Sequence, residues 1–496
     1  MALISNPVSI ELEDIQGLIL SGFGKLPYSN YILLQIEDAV TVRKWIHKLI
    51  PHVTTADSRP NKQALNIAFT SAGLKALGLA EENVDNFPIP FREGMATPHR
   101  QRILGDYGES APQEWRWGGA DENWQPMNQP HILLTLYGED EKSLEMHTHK
   151  HKEHIQDTPG IKILHQEVGY RRKDHKENFG FHDSISQPII KGSGRDNVPA
   201  SDIVATGEFV LGYLNEHKLY PYSPLITQAQ GNTNLLAPDA NGSGKKDLGK
   251  NGSFLVYRVM QQHVDAFHQF SKEKTLDSDG NPQPEEQIKL EAKMIGRWPS
   301  GAPLTKSPDR DPGGSSEDND FNYAKEDPHG YGCPLGSHLR RNNPRDSFRG
   351  IKPKQSLKVT RRHRIIRRGR LYPVPPNFPK DPTPDLSQEV GLQFFGINAD
   401  IAQQFEFIQH VWVNNDKPNK DTLTSDPDPI IGAPDKAAPE PQNRKFTIQQ
   451  QPVAKCVEDL QRFVTIRAGG YFFLPGIMGL RYLSTLGDSI EGSGNS

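Results

Sequence analysis

The sequence predicts an α+β fold assembled from two sheet-and-helix halves of similar plan, and three observations predict it. Apolar runs of strand length are followed by amphipathic helical patterns, that alternation fills the N-terminal third, and it returns later in the chain between long Pro/Gly-rich connections. A chain of 496 residues with 43 Gly and 40 Pro has room for two or three ordinary domains or one large duplicated unit.

In order, YILLQIED precedes AVTVRKWIHKLI, LNIAF precedes TSAGLKALGL, and HILLTLYG precedes EDEKSLEMHTHKHKEH. The plan resumes as SFLVYRV before MQQHVDAFHQFSKEK and as GLQFFGI before NADIAQQFEFIQHVWVN. FVTIRAGGYFFLPGIMGLRYL reads as a strand, a tight turn and a helix, and GDSIEGSGNS as a frayed tail. QAQGNTNLLAPDANGSGKKDLGKNGS, SPDRDPGGSSEDNDFNYAKEDPHGYG and DKPNKDTLTSDPDPIIGAPDKAAPEPQNR have the composition of surface loops. Loops of this length in a compact fold are uncommon unless they cover a site.

The net charge of −4, from 57 basic and 61 acidic side chains, argues against a general polyanion binder. Two cysteines, Cys333 and Cys456, are too few for a disulfide framework and too distant for a CxxC motif, which favours a reducing compartment. No run approaches the ~18 apolar residues of a membrane span, and MALISNPVSIELEDIQG lacks the basic and apolar regions of a secretory leader. The expected location is cytoplasmic, with no membrane partner.

Four stretches carry candidate chemistry. In MHTHKHKEH, His147, His151 and His154 stand at i, i+4 and i+7, a spacing that can hold zinc, although the interleaved Lys150, Lys152 and Glu153 favour a solvated polar face. TRRHRIIRRGRLY sets six arginines around Ile365 and Ile366; a nucleic-acid patch is one reading. A strand is the other, in which Arg367 shares a face with Ile365 and Arg364 with Ile366, so that at least one guanidinium points inward to an anionic partner. In HGYGCPLGSHLRRNNPRD, His338 follows a Pro/Gly-rich turn; a satisfied histidine is the ordinary reading, yet one imidazole suffices for a haem iron because the porphyrin supplies the other four ligands. GFHDSISQP is a structured loop whose Asp183, on local physics, is a turn or N-cap side chain.

Together these segments resemble the haem-containing dye-decolorising peroxidases, from DIQGLIL near residue 14 to GGYFFLPGIMGLRYL near residue 483. The resemblance is carried by GFHDSISQP, CPLGSHLRRNNPR, HRIIRRG, GLQFFGINADIAQQFEFIQHVWVN, DPIIG and GGYFFLP, in the order and spacing of the longer-loop members. It implies duplicated ferredoxin-like halves, 1–215 with the distal Asp loop and 216–496 with most of the haem cavity, and one haem b per chain. It also implies His338 as proximal iron ligand, Asp183 as distal acid, Arg367 as distal arginine, Leu392 and Phe394 as the apolar wall, and Asp428 as the carboxylate bonded to the proximal imidazole. Arg340 is a further candidate for cofactor binding.

The implied partners are hydrogen peroxide and aromatic reducing substrates, bulky dyes among them, and not nucleic acid. Tyr372 and Trp412 are candidates for electron transfer at the surface, with ordinary packing as the other reading of each. A carboxylate in the role that other haem peroxidases give to histidine implies activity that persists in acid. Two other readings stay open: a haem-handling protein with little peroxidase turnover, and a basic-patch interaction module. One departure stands out: the family's GxxDG has glycine after the aspartate, and here that position is Ser184.

Overall fold

The computed structural model describes residues 9–194, 202–417, 426–433 and 444–487. The tail after Gly487, and much of the loop expected from Asp416 to Arg444, lie outside the described residues. In the first half, β1 (Tyr28–Ile36), β2 (Gln63–Phe69), β3 (Ile132–Gly138) and β4 (Ile161–Tyr170) form an antiparallel sheet in the order β2-β3-β1-β4. Helices α1 (Ala39–Leu49) and α2 (Glu141–Gln156) cross between them, each capped by an aspartate: Asp38 accepts from the Val40 amide and Asp140 from the Ser143 amide.

The second half repeats this order. Strand β5 (Ser253–Gln262) lies between β8 (Gly391–Asn398) and β9 (Val464–Leu474), and the short β6 (Ile366–Arg367) and β7 (Arg370–Tyr372) line the far edge of β8. Each half is therefore ferredoxin-like. The two sheets then close on one another into a barrel, joined at one seam by Phe69 against Phe473 and at the other by Tyr170 against Leu371. A closed barrel leaves no open edge.

Closure explains why the strands read as near-continuous apolar runs: both faces are buried. Tyr31, Leu33, Leu133, Tyr137, Leu255, Tyr257, Phe395, Ile397 and Phe472 fill the barrel interior. Their alternates, Ile32, Leu34, Leu134, Leu136, Phe254, Val256 and Phe473, pack outward under the helices. Fully burying one such side chain contributes ~1.5–3 kcal/mol.

The long segment between β5 and β6 carries α3 (Val264–Glu273), α4 (Pro284–Ile295), α5 (His338–Asn342) and α6 (Pro353–Arg361); α7 (Ile477–Ser484) ends the described chain. Two sequence expectations change here. TRRHRIIRRGRLY is not one strand, because α6 runs through Arg361 and pairing begins only at Ile366. MHTHKHKEH is not solvated throughout: while His154 stays exposed, His147 and His151 share the buried side of α2 with Leu144 and Ile155. Burial lowers their pKa values to about 4 and about 3, so both are neutral imidazoles packed on the sheet.

The connection between the halves holds a titratable group that marks the fold's pH response. Glu208 is buried and accepts from the Glu216 amide at 2.9 Å, while its own carbonyl accepts from the Ala399 amide and from Gln404 Nε2. Burial pushes its carboxyl up to about 7. Because the unfolded chain gives up this proton first, stability is full below the unfolded pKa and is lost as pH rises through about 7. Glu208→Gln removes that loss and should stabilise by on the order of 2 kcal/mol above neutrality and by nothing near pH 4, read from urea unfolding at the two pH values.

Candidate functional site

A cavity of about 270 Å³ opens between the outer face of the second-half sheet and the helices and loops that follow β5. Its apolar walls include Ile295, Leu339, Leu392, Phe394, Phe405 and Ile430. Leu392 and Phe394 project from the face of β8 opposite Phe395 and Ile397, which point into the barrel. The loop expected to cover a site does so: Phe321 and Tyr323, from the segment after α4, close one side.

His338 opens α5 and lines this cavity. Its Nδ1 lies 2.9 Å from Oδ2 of Asp428, which is 0% exposed. Burial alone would raise the Asp428 carboxyl, but the His338 imidazole and the backbone amide of Ile431 outweigh it and hold the group below the usual carboxylate range. A carboxylate on Nδ1 fixes the tautomer and leaves the Nε2 lone pair for a ligand. No described residue hydrogen-bonds Nε2 of His338.

Asp183 lines the same cavity, and Oδ1 of its carboxylate lies 3.1 Å from Nη1 of Arg367. It is an ion-paired side chain and not a cap. Its loop is held on both flanks: the Asp183 amide donates to the His175 carbonyl at 2.8 Å, and Arg367 Nη2 donates to the Ile185 carbonyl at 2.9 Å. Asn343 Nδ2 donates to Ser186 Oγ at 3.2 Å, which ties the segment after His338 to this loop.

Ser184 adopts φ 70°, as Ser186 adopts φ 62°, so the position that departs from GxxDG is left-handed. The Ser184 side chain is exposed and makes no hydrogen bond to Asp183. A non-glycine residue there is strained by about 1 kcal/mol. Ser184→Gly should therefore raise the unfolding free energy by about that amount in a denaturant titration.

Three expected site residues lie elsewhere. Arg340 stands two residues past His338 on α5 and so points away from the cavity; it is buried against Asp327, the Cys333 carbonyl and the Tyr323 ring. Tyr372 and Trp412 are not at the surface, at 5% and 1% exposure. Tyr372 donates to Glu389 at 2.9 Å, and Trp412 is enclosed by Phe348, His363 and Phe407. Both sit where strand and helix packing bury large aromatics.

Conversely, Arg345, not singled out in the sequence, belongs to the cavity, and so does Arg364, one of the two guanidiniums expected to point inward. Arg345 and Arg364 line it, and among the described residues neither meets a carboxylate: Arg345 donates to Asn319 and to the Phe321 carbonyl, Arg364 to Ser186. Burial lowers Arg364 to about 10, still charged at neutral pH. Two others of the arginine cluster turn inward too, Arg368 to the carbonyls of Leu18 and Ile19 and Arg370 to those of Gly22 and Leu26, which disfavours a phosphate-binding surface.

Among the described residues, the group with metal-ligand spacing is not on α2; it is His175, His182 and Glu317, whose ligand atoms lie within 4.8 Å of one another. Arg171 Nη2 stands 3.3 Å from His175 Nε2, a fixed positive charge that opposes a cation there. No helix among the described residues is long and apolar enough to cross a membrane.

Comparison with known proteins agrees with this geometry. The DyP dimeric alpha+beta barrel domain matches residues 14–173. A dye-decolorizing peroxidase of Mycena epipterygia is 28% identical over 507 residues, spanning 95% of this chain and 86% of its own. The structure of an ancestral D-type dye decolorizing peroxidase superposes with a TM-score of 0.73 at 28% identity, over 96% of this chain and 99% of its own. A DyP-type peroxidase of Anabaena sp. gives 0.72 at 25% identity, over 95% and 94%.

Proposed function

The chain belongs to the dye-decolorising peroxidase family, and from that premise we propose that it is a haem-dependent peroxidase that uses hydrogen peroxide to oxidise dyes, phenols and other aromatic one-electron donors. One observation carries the reading: a cavity offers an imidazole nitrogen with no hydrogen-bond partner among the described residues, backed by a buried carboxylate, and on its lining a second carboxylate paired with an arginine.

The donors present suit one haem b per chain. His338 Nε2 is a neutral nitrogen ligand whose orientation Asp428 fixes. Arg345, buried, and Arg364, half-buried, present guanidiniums that meet no carboxylate among the described residues, the partners that two propionates require. The apolar walls suit a porphyrin face. When bound, haem supplies the iron chemistry of peroxide reduction and the one-electron steps toward organic donors.

The protein's share is proton movement and charge placement. The Asp183 carboxylate takes the peroxide proton and returns it to the departing oxygen. Arg367 holds that carboxylate at 3.1 Å and sets a positive charge where oxygen becomes negative. Leu392 and Phe394 keep the peroxide side small and dry, which strengthens both effects.

The test is an absorption spectrum of haem-loaded protein before and after one equivalent of peroxide. A Soret band that shifts with peroxide is expected, and His338→Ala should lose that band or its response to peroxide. A Soret band indifferent to peroxide would instead establish a haem-handling protein; no band at all would remove haem from this chain.

A further inference from the structure

We propose that Asn342 is a positioning residue that limits how strongly Asp428 draws on the His338 proton, and so sets how much electron density His338 gives to the iron; the proposal rests on the haem reading above. The Asp428 carboxylate accepts four hydrogen bonds. Oδ1 takes the amides of Ile430 and Ile431 at 2.9 and 3.0 Å, and Oδ2 takes His338 Nδ1 at 2.9 Å and Asn342 Nδ2 at 3.3 Å.

The orientation of the Asn342 amide is fixed by its neighbours. Nδ2 also donates to the His338 carbonyl at 2.7 Å, so exchanging Nδ2 with Oδ1 would face an oxygen with two acceptors at once. Nδ2 stands 3.2 Å from His338 Nδ1 as well. Two N–H groups therefore converge side by side on one carboxylate oxygen. An oxygen that shares its charge with a second donor is a weaker acceptor for the first.

The consequence lies in the ring. The more firmly a carboxylate holds the Nδ1 proton, the more imidazolate character the ligand has and the more it favours the higher oxidation state of the metal on Nε2. With Asn342 present that pull is restrained; without it Oδ2 serves His338 alone. The ordinary alternative is that Asn342 only satisfies the His338 carbonyl at the end of a short helix.

The test is the ferric/ferrous midpoint potential of haem-loaded Asn342→Leu, with Asn342→Ala as a second variant in case the larger side chain does not fold. The ferric form should gain by roughly three- to tenfold, the equilibrium effect of one hydrogen bond. For a one-electron couple each tenfold is about 59 mV, in the negative direction. In an Asp428→Asn background the same substitution should leave the potential unmoved. An equal shift in both backgrounds, or none in the parent, overturns the proposal.

A second measurement does not need the iron. In haem-free protein the proton resonance on His338 Nδ1 should move downfield in Asn342→Leu, as its bond to Asp428 strengthens; an unmoved resonance overturns the proposal. If the parent shows no Soret band, the haem reading fails by itself, and this resonance still decides whether Asn342 restrains the pair.

Discussion

Asp183→Asn should slow the reaction of the haem-loaded protein with hydrogen peroxide by ~10²–10⁴-fold, followed by stopped-flow absorbance. The substitution keeps the shape of the side chain and removes its negative charge, and with it the capacity to take a proton and the ion pair to Arg367. The Asp183 amide bond to the His175 carbonyl and the Arg367 bond to Ile185 remain, so the loop has no reason to move. Haem uptake should be unchanged, because His338, Asp428, Arg345 and Arg364 are untouched. A variant that reacts within a few-fold of the parent would take Asp183 out of proton transfer.

Arg367 supplies the contrast. It carries both the ion pair to Asp183 and the bond to the Ile185 carbonyl. Its removal therefore disturbs the charge and the loop together, whereas Asp183→Asn leaves the bond to the Ile185 carbonyl in place. That is why the aspartate, and not the arginine, is the sharper probe of this step.

Motifs in the sequence named residues that the fold brings to one cavity, and the reading fell short where structure depends on long-range placement. Asp183 looked locally like a turn residue; only its company with His338, Arg367 and the Leu392/Phe394 wall gave it a role, and the cavity does gather these residues. The strand then helix alternation revealed two similar halves. It could not reveal barrel closure, since each seam is a single residue pair hundreds of residues apart in the chain, Phe69 with Phe473 and Tyr170 with Leu371.

Arg345 was hidden for a related reason. Among neighbouring arginines, nothing local distinguishes one that faces a cavity from Arg340 or Arg370, which spend their donors on Asp327 and on backbone carbonyls. Helical phase accounts for Arg340, and the packing of the first-half loop at Gly22 to Leu26 accounts for Arg370. Tyr372 and Trp412, candidates for surface relays whose ordinary reading was packing, lie within strand and helix packing at 5% and 1% exposure.

Asp428→Asn should weaken haem binding by ~10–100-fold and raise the ferric/ferrous midpoint potential of what binds, measured by haem titration and spectroelectrochemistry. The Asp428 side chain is an acceptor on every side, with two amides on Oδ1 and His338 and Asn342 on Oδ2. An asparagine can satisfy only one of those pairs. If its oxygen serves Ile430 and Ile431, its amide nitrogen donates to His338 Nδ1, which moves the ring proton to Nε2, the nitrogen needed by the iron. If it turns the other way, two backbone N–H groups lose their acceptor in a site with 0% exposure, at a cost of ~1–3 kcal/mol for each buried group. In both arrangements the full negative charge behind the imidazole is gone, so the ferrous form gains. Unchanged haem affinity together with an unchanged potential would show that Asp428 does not set the state of His338.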